Sequence, residues 1–280
     1  MIYINGHSGM IGKHITSDLI RHDFSFKTLG RSLGYDIYFD LNDPNKFNFD
    51  ELKSNDTVIF LASISNPDEC KKNPKSSYEV NVQNTILAIR KIILKKAYVL
   101  FASSDMIYSG NEGIVDEDTS PNPMPGYGTM KLEVENYFIN EPYFKSMRLS
   151  LVCALDDKFT SFLHKASMNK DPVNIFHPMI RSMVSIHDVI LFVRAFIEQP
   201  NQIPKLTNLV GSKFISKLDY AMVFSDILNL DFSISEPPHN FLLSRPKEIY
   251  SISKYLKEVL KDQPKDVLTE LKENLININK

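Results

Sequence analysis

Short apolar runs alternate with stretches of helical period through the first 150 residues, and this alternation sets the expected fold class. Ile2-Tyr-Ile4 reads as an opening strand, with Lys27–Leu29 and a shorter Asp36–Phe39 as the next two. Thr57-Val-Ile-Phe-Leu-Ala62 is an almost unbroken apolar run, the signature of a strand covered on both faces of a parallel sheet. Pro74 opens a helix predicted over 75–95, because proline loses nothing at a first turn whose N–H has no intrahelical partner. Within that helix Val80, Ile86, Ile89 and Ile93 keep helical spacing. Tyr98–Ala102 is the next strand, residues 127–137 a helix, and 146–152 a further strand. Strand, helix, strand at this rhythm predicts an α/β, doubly wound parallel sheet of Rossmann type.

After Val152 the pattern loosens. Helices are predicted over 158–168, 186–198 and 217–228, strands over 204–211 and 232–235, and closing helices over 254–260 and 267–275. A boundary near residue 155 separates a dinucleotide-binding domain (1–155) from a smaller mixed α/β substrate domain (156–280), part of 180–210 returning to the first.

The turn between the first strand and its helix reads Gly6-His7-Ser8-Gly9-Met10-Ile11-Gly12, which uses three of the ten glycines of the chain. Glycine there lets the backbone approach a pyrophosphate without a Cβ in the way. The helix starting near Met10 then aims free N–H groups and the positive end of its dipole at the phosphates. The whole turn, Gly6 to Gly12, is therefore the expected dinucleotide cradle.

Bulk properties narrow the classes. The chain has 280 residues, 43% hydrophobic and 24% charged, with a formal net charge of −2. No broad basic footprint for nucleic acid exists. No apolar run reaches the roughly 20 residues of a bilayer span, and the apolar start lacks a preceding basic region, so a cytoplasmic, membrane-free protein is expected. Two cysteines, Cys70 and Cys153, and seven histidines fall in no metal-ligand spacing, so no metal is expected.

Tyr127-Gly-Thr-Met-Lys131 puts a phenol and an ammonium on one helix face, where the ammonium is expected to lower the phenol pKa toward neutrality and make it an acid/base. Tyr250-x-x-x-Lys254 repeats the spacing, but Tyr250 lies far from the sheet and reads as a surface helix start. Tyr127 follows the strand ending in Ser103-Ser104, and the carboxyl ends of strands are where open α/β sheets bind ligands. Ser104 is the candidate donor to a substrate oxygen on which charge changes, with Ser103 as its competitor.

Together the glycine turn, Ser104 and Tyr127-x-x-x-Lys131 resemble the extended short-chain dehydrogenase/reductase family of nucleotide-sugar epimerases, dehydratases and reductases. The resemblance extends to Leu61-Ala62, to Val80-Asn81-Val-Gln-Asn-Thr85, to Arg148-Leu-Ser-Leu-Val152 and to Arg245-Pro246. It implies that Tyr127 is the acid/base, that Lys131 also holds the nicotinamide ribose, and that Ser104 polarises the substrate oxygen. It adds Leu61, Ala62, Ser63, Asn81 and Ala102 to the cofactor contacts, and a homodimer built on the 75–95 and catalytic helices.

Dehydratases of the family follow the serine or threonine with Asp-Glu. Here Asp105 is followed by Met106, whose thioether cannot remove a proton. Ser103-Ser104-Asp105 with Asn66-Pro-Asp-Glu-Cys70 resembles the dTDP-4-dehydrorhamnose reductase branch instead. That implies NAD(P)H-dependent reduction of a nucleotide-activated 4-keto-6-deoxy sugar, as in surface-polysaccharide biosynthesis. An NAD-dependent 4-epimerase and a non-catalytic dinucleotide sensor are the alternatives. Arg31, with Ser32 beside it, stands where an acidic residue would grip the NAD ribose, so NADP is favoured over NAD. Asp40-Leu41 is the expected adenine edge. Asp105, Arg181 and Arg245 are the substrate-side candidates, the two arginines suited to a diphosphate.

Overall fold

The computed structural model describes residues 1–31 and 34–278. Seven parallel strands form the central sheet: β1 (Ile2–Asn5), β2 (Phe26–Gly30), β3 (Ile37–Tyr38), β4 (Thr57–Phe60), β5 (Tyr98–Ser104), β6 (Phe144–Leu149) and β7 (Leu206–Leu209). Their spatial order is β7-β6-β5-β4-β1-β2-β3. Ile2 of β1 pairs with Phe26 on one side and with Thr57 on the other. The chain therefore leaves β1 toward one edge and returns on the far side at β4. That reversal opens a crevice at the carboxyl ends of β1 and β4, the place where such sheets bind ligands.

Side-chain alternation along the strands feeds two separate cores. Ile4, Leu100 and Met147 face one layer with Ile15, Leu19, Val189, Phe192 and Phe196, from the helices Met10–Arg21 and Ile186–Glu198. Tyr3, Val99 and Phe101 face the opposite layer with Ile89, Val134 and Phe138, from Thr85–Leu94 and Tyr127–Phe138. Both faces of the sheet are covered, which is why the strands read as continuous apolar runs. A third core joins Leu163, Ile175, Tyr220, Phe224, Leu271 and Leu275, from the helices Lys158–Asn169, Lys217–Leu228 and Val267–Ile278 and the parallel strand pair Val173–Phe176 and Phe232–Ser235.

Three local features depart from the sequence expectation, and the strand near 204–211 forms where expected. The helix expected over 75–95 is interrupted: Pro74–Tyr78 and Thr85–Leu94 are α-helical, but Glu79–Asn84 winds as a π-helix. There Thr85 Oγ1 reaches the carbonyl of Val80 at 2.9 Å and Asn81 turns to the backbone of Ile64. The strand expected over 146–152 leaves the sheet after Leu149, where the Ser150 hydroxyl donates to Asp105 at 3.0 Å. The strand near 204–211 is the edge strand β7, pairing with β6 through Asn208 and Arg148. Tyr250 does not start a helix. It forms a strand with Ser251 that pairs with Ile114–Val115, and the following helix begins at Leu256.

Among the described residues, no helix is long and apolar enough to cross a membrane, and no cluster of three or more histidine, cysteine or acidic side chains could hold a metal ion.

Candidate active site

The glycine turn is shaped by backbone contacts that leave no room for side chains. Gly6 has φ +84°, and a Cβ there would lie 2.8 Å from the amide nitrogen of Ala62. At Gly12 a Cβ would lie 2.4 Å from the Gly6 carbonyl oxygen and 2.5 Å from the Cα of His7. Gly6 and Gly12 thus clamp the turn against the sheet and the helix. Gly9 differs: its Cβ would meet only the Gly6 oxygen, at 3.4 Å, so its outer side faces open space. Gly9 also caps the helix Met10–Arg21 with no side-chain hydrogen bond, which leaves the first-turn N–H groups of Met10, Ile11 and Gly12 for a ligand.

Beside this turn lies a cavity of about 310 Å³ lined by Gly6, Ser8, Arg31, Asp40, Leu41, Ala62 and Ser63 of the expected cofactor set. Asn5, Tyr35, Asn42 and Val80 line it as well, and sequence reasoning missed them. Asn5 carried a usable signal, a polar residue closing an apolar strand. Its carboxamide accepts from Ala62 N at 3.1 Å and its carbonyl from Leu61 N at 3.0 Å, tying β1 to the end of β4 across the crevice. The exposed Arg31 guanidinium faces the Asp40 carboxylate at 3.8 Å. His7 packs edge-on to Tyr35 with ring centroids 4.6 Å apart, and its buried Nδ1 has no partner among the described residues. Ser32 lies outside the described residues. An uncapped helix start, an open Gly9 and an unpaired imidazole nitrogen beside a deep slot fit a dinucleotide.

Asn81 does not line that cavity. Its carboxamide accepts from Ile64 N at 2.8 Å and donates to Ile64 O at 2.9 Å, holding the chain that follows β4.

Tyr127 and Lys131 begin the helix Tyr127–Phe138 on one face, with the Lys131 ammonium 5.5 Å from the Tyr127 ring centroid. Lys131 is buried, donates to the Ala102 carbonyl at 2.7 Å and lies 4.6 Å from the Phe101 ring centroid. Burial lowers its pKa to about 7, although Cys70 and Glu135 pull the other way. The Tyr127 phenol is pushed well above its usual range, mainly by burial, with the neighbouring Ser63 hydroxyl opposing. The expectation of a phenol pKa drawn toward neutrality by the lysine is thus reversed: loss of water around the phenolate dominates, and the group that opposes it is the Ser63 hydroxyl rather than Lys131.

Ser104 ends β5. Its hydroxyl accepts from Met106 N at 3.1 Å and donates to Asp105 at 3.4 Å, while the Ser103 hydroxyl is buried with no partner among the described residues. Asp105 is buried, and its charge registers on Tyr127. Burial raises the Asp105 pKa, while Arg181 at 3.8 Å and the Ser150 hydroxyl lower it.

The two arginines separate. Arg181 donates to the carbonyls of Ile180 at 2.7 Å, Lys247 at 3.2 Å and Pro246 at 2.6 Å, and its Nε faces Asp105. Its fork is spent on backbone, so it acts as a strut under residues 246–247. Arg245 pairs with Asp68 at 2.5 Å and rests 4.1 Å from the Phe241 ring centroid. Asp68 sits on the short helix Pro67–Lys72 after β4, and Ser244 donates to it at 2.6 Å.

Comparisons with known proteins bear on the family and the fold. A family model described as the NAD dependent epimerase/dehydratase family matches residues 2–210. Methionine adenosyltransferase 2 subunit beta of Bos taurus is 22% identical over 189 residues, which are 64% of this chain and 57% of that protein. The chain thus matches little more than half the length of that relative. A crystal structure of dTDP-4-dehydrorhamnose reductase from Yersinia enterocolitica superimposes with a TM-score of 0.84 at 21% identity, covering 98% of each chain. A dTDP-4-dehydrorhamnose reductase from Bacillus anthracis, solved in complex with NADP, gives 0.82 at 16% identity over 99% of this chain and 98% of that one. At these identities the superpositions establish a shared fold.

Proposed function

The chain belongs to the NAD dependent epimerase/dehydratase family, and from that footing we propose that it reduces the keto group of a nucleotide-activated 4-keto-6-deoxy sugar. The observation that carries this reading is the convergence of Tyr127, Lys131, Ser104 and Asp105 where β5 ends, next to the crevice between β1 and β4.

The nicotinamide, when bound, supplies the hydride; NADP is the proposed cofactor, NAD the alternative. Gly6 to Gly12 hold its pyrophosphate, Asp40 and Leu41 its adenosine end, and Arg31 the 2′-phosphate that distinguishes NADP. The chain's own task is to supply a proton and stabilise charge at the substrate oxygen. Burial keeps the Tyr127 phenol protonated at neutral pH, so it is charged with the proton that the developing alkoxide needs. The Ser104 hydroxyl, released from Asp105, donates to the same oxygen. Lys131, at about 7, exchanges its own proton at the pH of the reaction and restores that of Tyr127. Met106, without a basic atom, leaves the site with no partner for water elimination.

The same reading includes a homodimer through residues 74–94 and Tyr127–Phe138, where the rings of Tyr78 and Tyr137 are exposed. The test is Tyr127→Phe. Turnover of NADPH with a dTDP-4-keto-6-deoxy sugar should fall by roughly 10²- to 10⁴-fold, the contribution of a positioned general acid, with NADP affinity nearly unchanged. Near-normal turnover would defeat the mechanism.

A further inference from the structure

Lys217 opens the helix Lys217–Leu228 but takes no part in closing its end. Ser216 and Asp219 do that between them: the Ser216 hydroxyl accepts from Asp219 N at 3.1 Å, and the Asp219 carboxylate accepts from Ser216 N at 2.8 Å. The Lys217 ammonium lies instead 5.0 Å from the Phe159 ring centroid and 5.8 Å from that of Phe241. Phe241 also carries the Arg245 guanidinium at 4.1 Å.

Three cations therefore share one aromatic-walled corner, and they are not equivalent. Arg181 has Asp105, and Arg245 has Asp68. Among the described residues no carboxylate registers on Lys217. The charges that act on it are the two guanidiniums, and both oppose its protonation, as burial does. A lysine stem that served only to cover apolar surface would carry its ammonium out to water. This one is held half-buried against like charge, an arrangement that gains free energy when an anion enters. Asp105 and Glu248 act on Arg181 and Asp68 on Arg245, so the cation of the corner left without a counter-charge among the described residues is Lys217. The corner reaches the reaction centre through Arg181, whose Nε faces Asp105, the residue after Ser104.

We infer that Lys217, with Arg245, binds the diphosphate of the sugar nucleotide, and that Arg181 is not part of that clamp but the strut that holds it against Asp105. The inference rests on the proposed reaction for its ligand class and adds the group that grips it. Three of the five Arg181 N–H groups already serve the carbonyls of residues 180, 246 and 247 and its Nε faces Asp105, so the N–H groups of the corner best placed for a ligand belong to Lys217 and Arg245. The rings of Phe159 and Phe241 exclude water around the contact and strengthen it.

The test is calorimetric titration of the full chain with dTDP, UDP, GDP and inorganic pyrophosphate, with the dinucleotide site saturated by NADP. Wild type, Lys217→Met and Lys217→Arg are compared, and NADP affinity is measured separately. In K217M the best-bound diphosphate should weaken by roughly ten- to hundredfold, the loss of a charge-assisted contact, and K217R should recover most of it. Thymidine, which has no phosphate, should bind both variants as it binds wild type, NADP affinity should not move, and the thermal midpoint of K217M should not fall. If folded K217M binds the diphosphates within about twofold of wild type, the inference falls, whatever the enzyme turns over. If no nucleoside diphosphate binds wild type, it falls as well. Lys217-dependent binding without reduction of any 4-keto sugar nucleotide would instead sustain the inference and remove the proposed reaction.

Discussion

Replacing Lys131 by methionine should stabilise the ligand-free protein at neutral pH while removing its chemistry. Lys131 is 2% exposed, and burial brings its ammonium from 10.5 to about 7. A fall of that size corresponds to roughly 5 kcal/mol between the charged and neutral forms of the side chain. The unfolded chain keeps its proton up to about 10.5, whereas the folded chain releases it from about 7. Between those values the unfolded state binds more protons, so stability rises with pH. The contribution is complete above 10.5 and is lost as pH falls through about 7. Methionine has no proton to exchange, so its advantage over lysine is greatest at and below pH 7 and shrinks by about 1.4 kcal/mol per pH unit above it. Loss of the hydrogen bond to the Ala102 carbonyl subtracts on the order of 1 kcal/mol from that advantage. Urea unfolding of K131M and wild type across about pH 7.5 to 9.5 isolates the effect, because other titrating groups cancel in the difference. The two stability curves should converge by about 2.5 kcal/mol over that range. Parallel curves would mean that Lys131 remains an ordinary surface-like ammonium in the fold, and the account of the site would be wrong.

Arg31→Ala should raise the NADP dissociation constant by about tenfold or more through loss of a charge-assisted contact, leaving NAD within about twofold; equal weakening of both, measured by fluorescence titration, would remove Arg31 from 2′-phosphate recognition. Arg148→Met should cost about 3–5 kcal/mol in denaturant unfolding, because it strands the Glu135 carboxylate it meets at 2.8 Å with both side chains at most 3% exposed. Replacing Glu135 by methionine as well should recover part of that loss, and a double variant no more stable than R148M would contradict the pairing.

What could be read from the chain was what local spacing determines. The glycine turn needs only its own residues and the strand and helix around it, and Tyr127 and Lys131 share a face by helical geometry alone. The helix Ile186–Glu198 and the helix Lys217–Leu228 were legible to the residue, because Ser185 and Ser216 cap them from the adjacent position. The roles of the arginines were not legible. Arg181 is claimed by carbonyls 65 and 66 residues downstream, and no local pattern records where those oxygens will lie. Lys217 went unnoticed for the same reason, since Phe159, Phe241 and Arg245 meet it only in space. The Tyr250 spacing suggested a helix, but pairing with Ile114 and Val115 won that segment for a strand. The π-turn at Glu79–Asn84 follows from a tertiary bond as well, the clasp of Asn81 on Ile64.

The distribution of buried charge separates an enzyme from a dinucleotide-binding scaffold of the same fold. Arg148 and Glu135 are buried as a matched pair, bidentate and further satisfied by Tyr108 and Ser146, and such a group stabilises the helix it holds with no ligand present. Lys131 and Lys217 are a different case. Glu135 is within electrostatic reach of Lys131 but committed to Arg148, and no carboxylate registers on Lys217 among the described residues. Each would be replaced by an apolar side chain of similar length with a gain in stability. Asp105 is likewise held in an environment that disfavours its charge. A scaffold needs the glycine turn and the slot beside it, and it would be more stable without these three groups. Their placement at the end of β5 and in the adjoining corner is intelligible if charge arrives with a ligand and changes during a reaction. The stability that K131M and K217M should each restore to the empty protein is then the direct measure of what the site gives up in order to act.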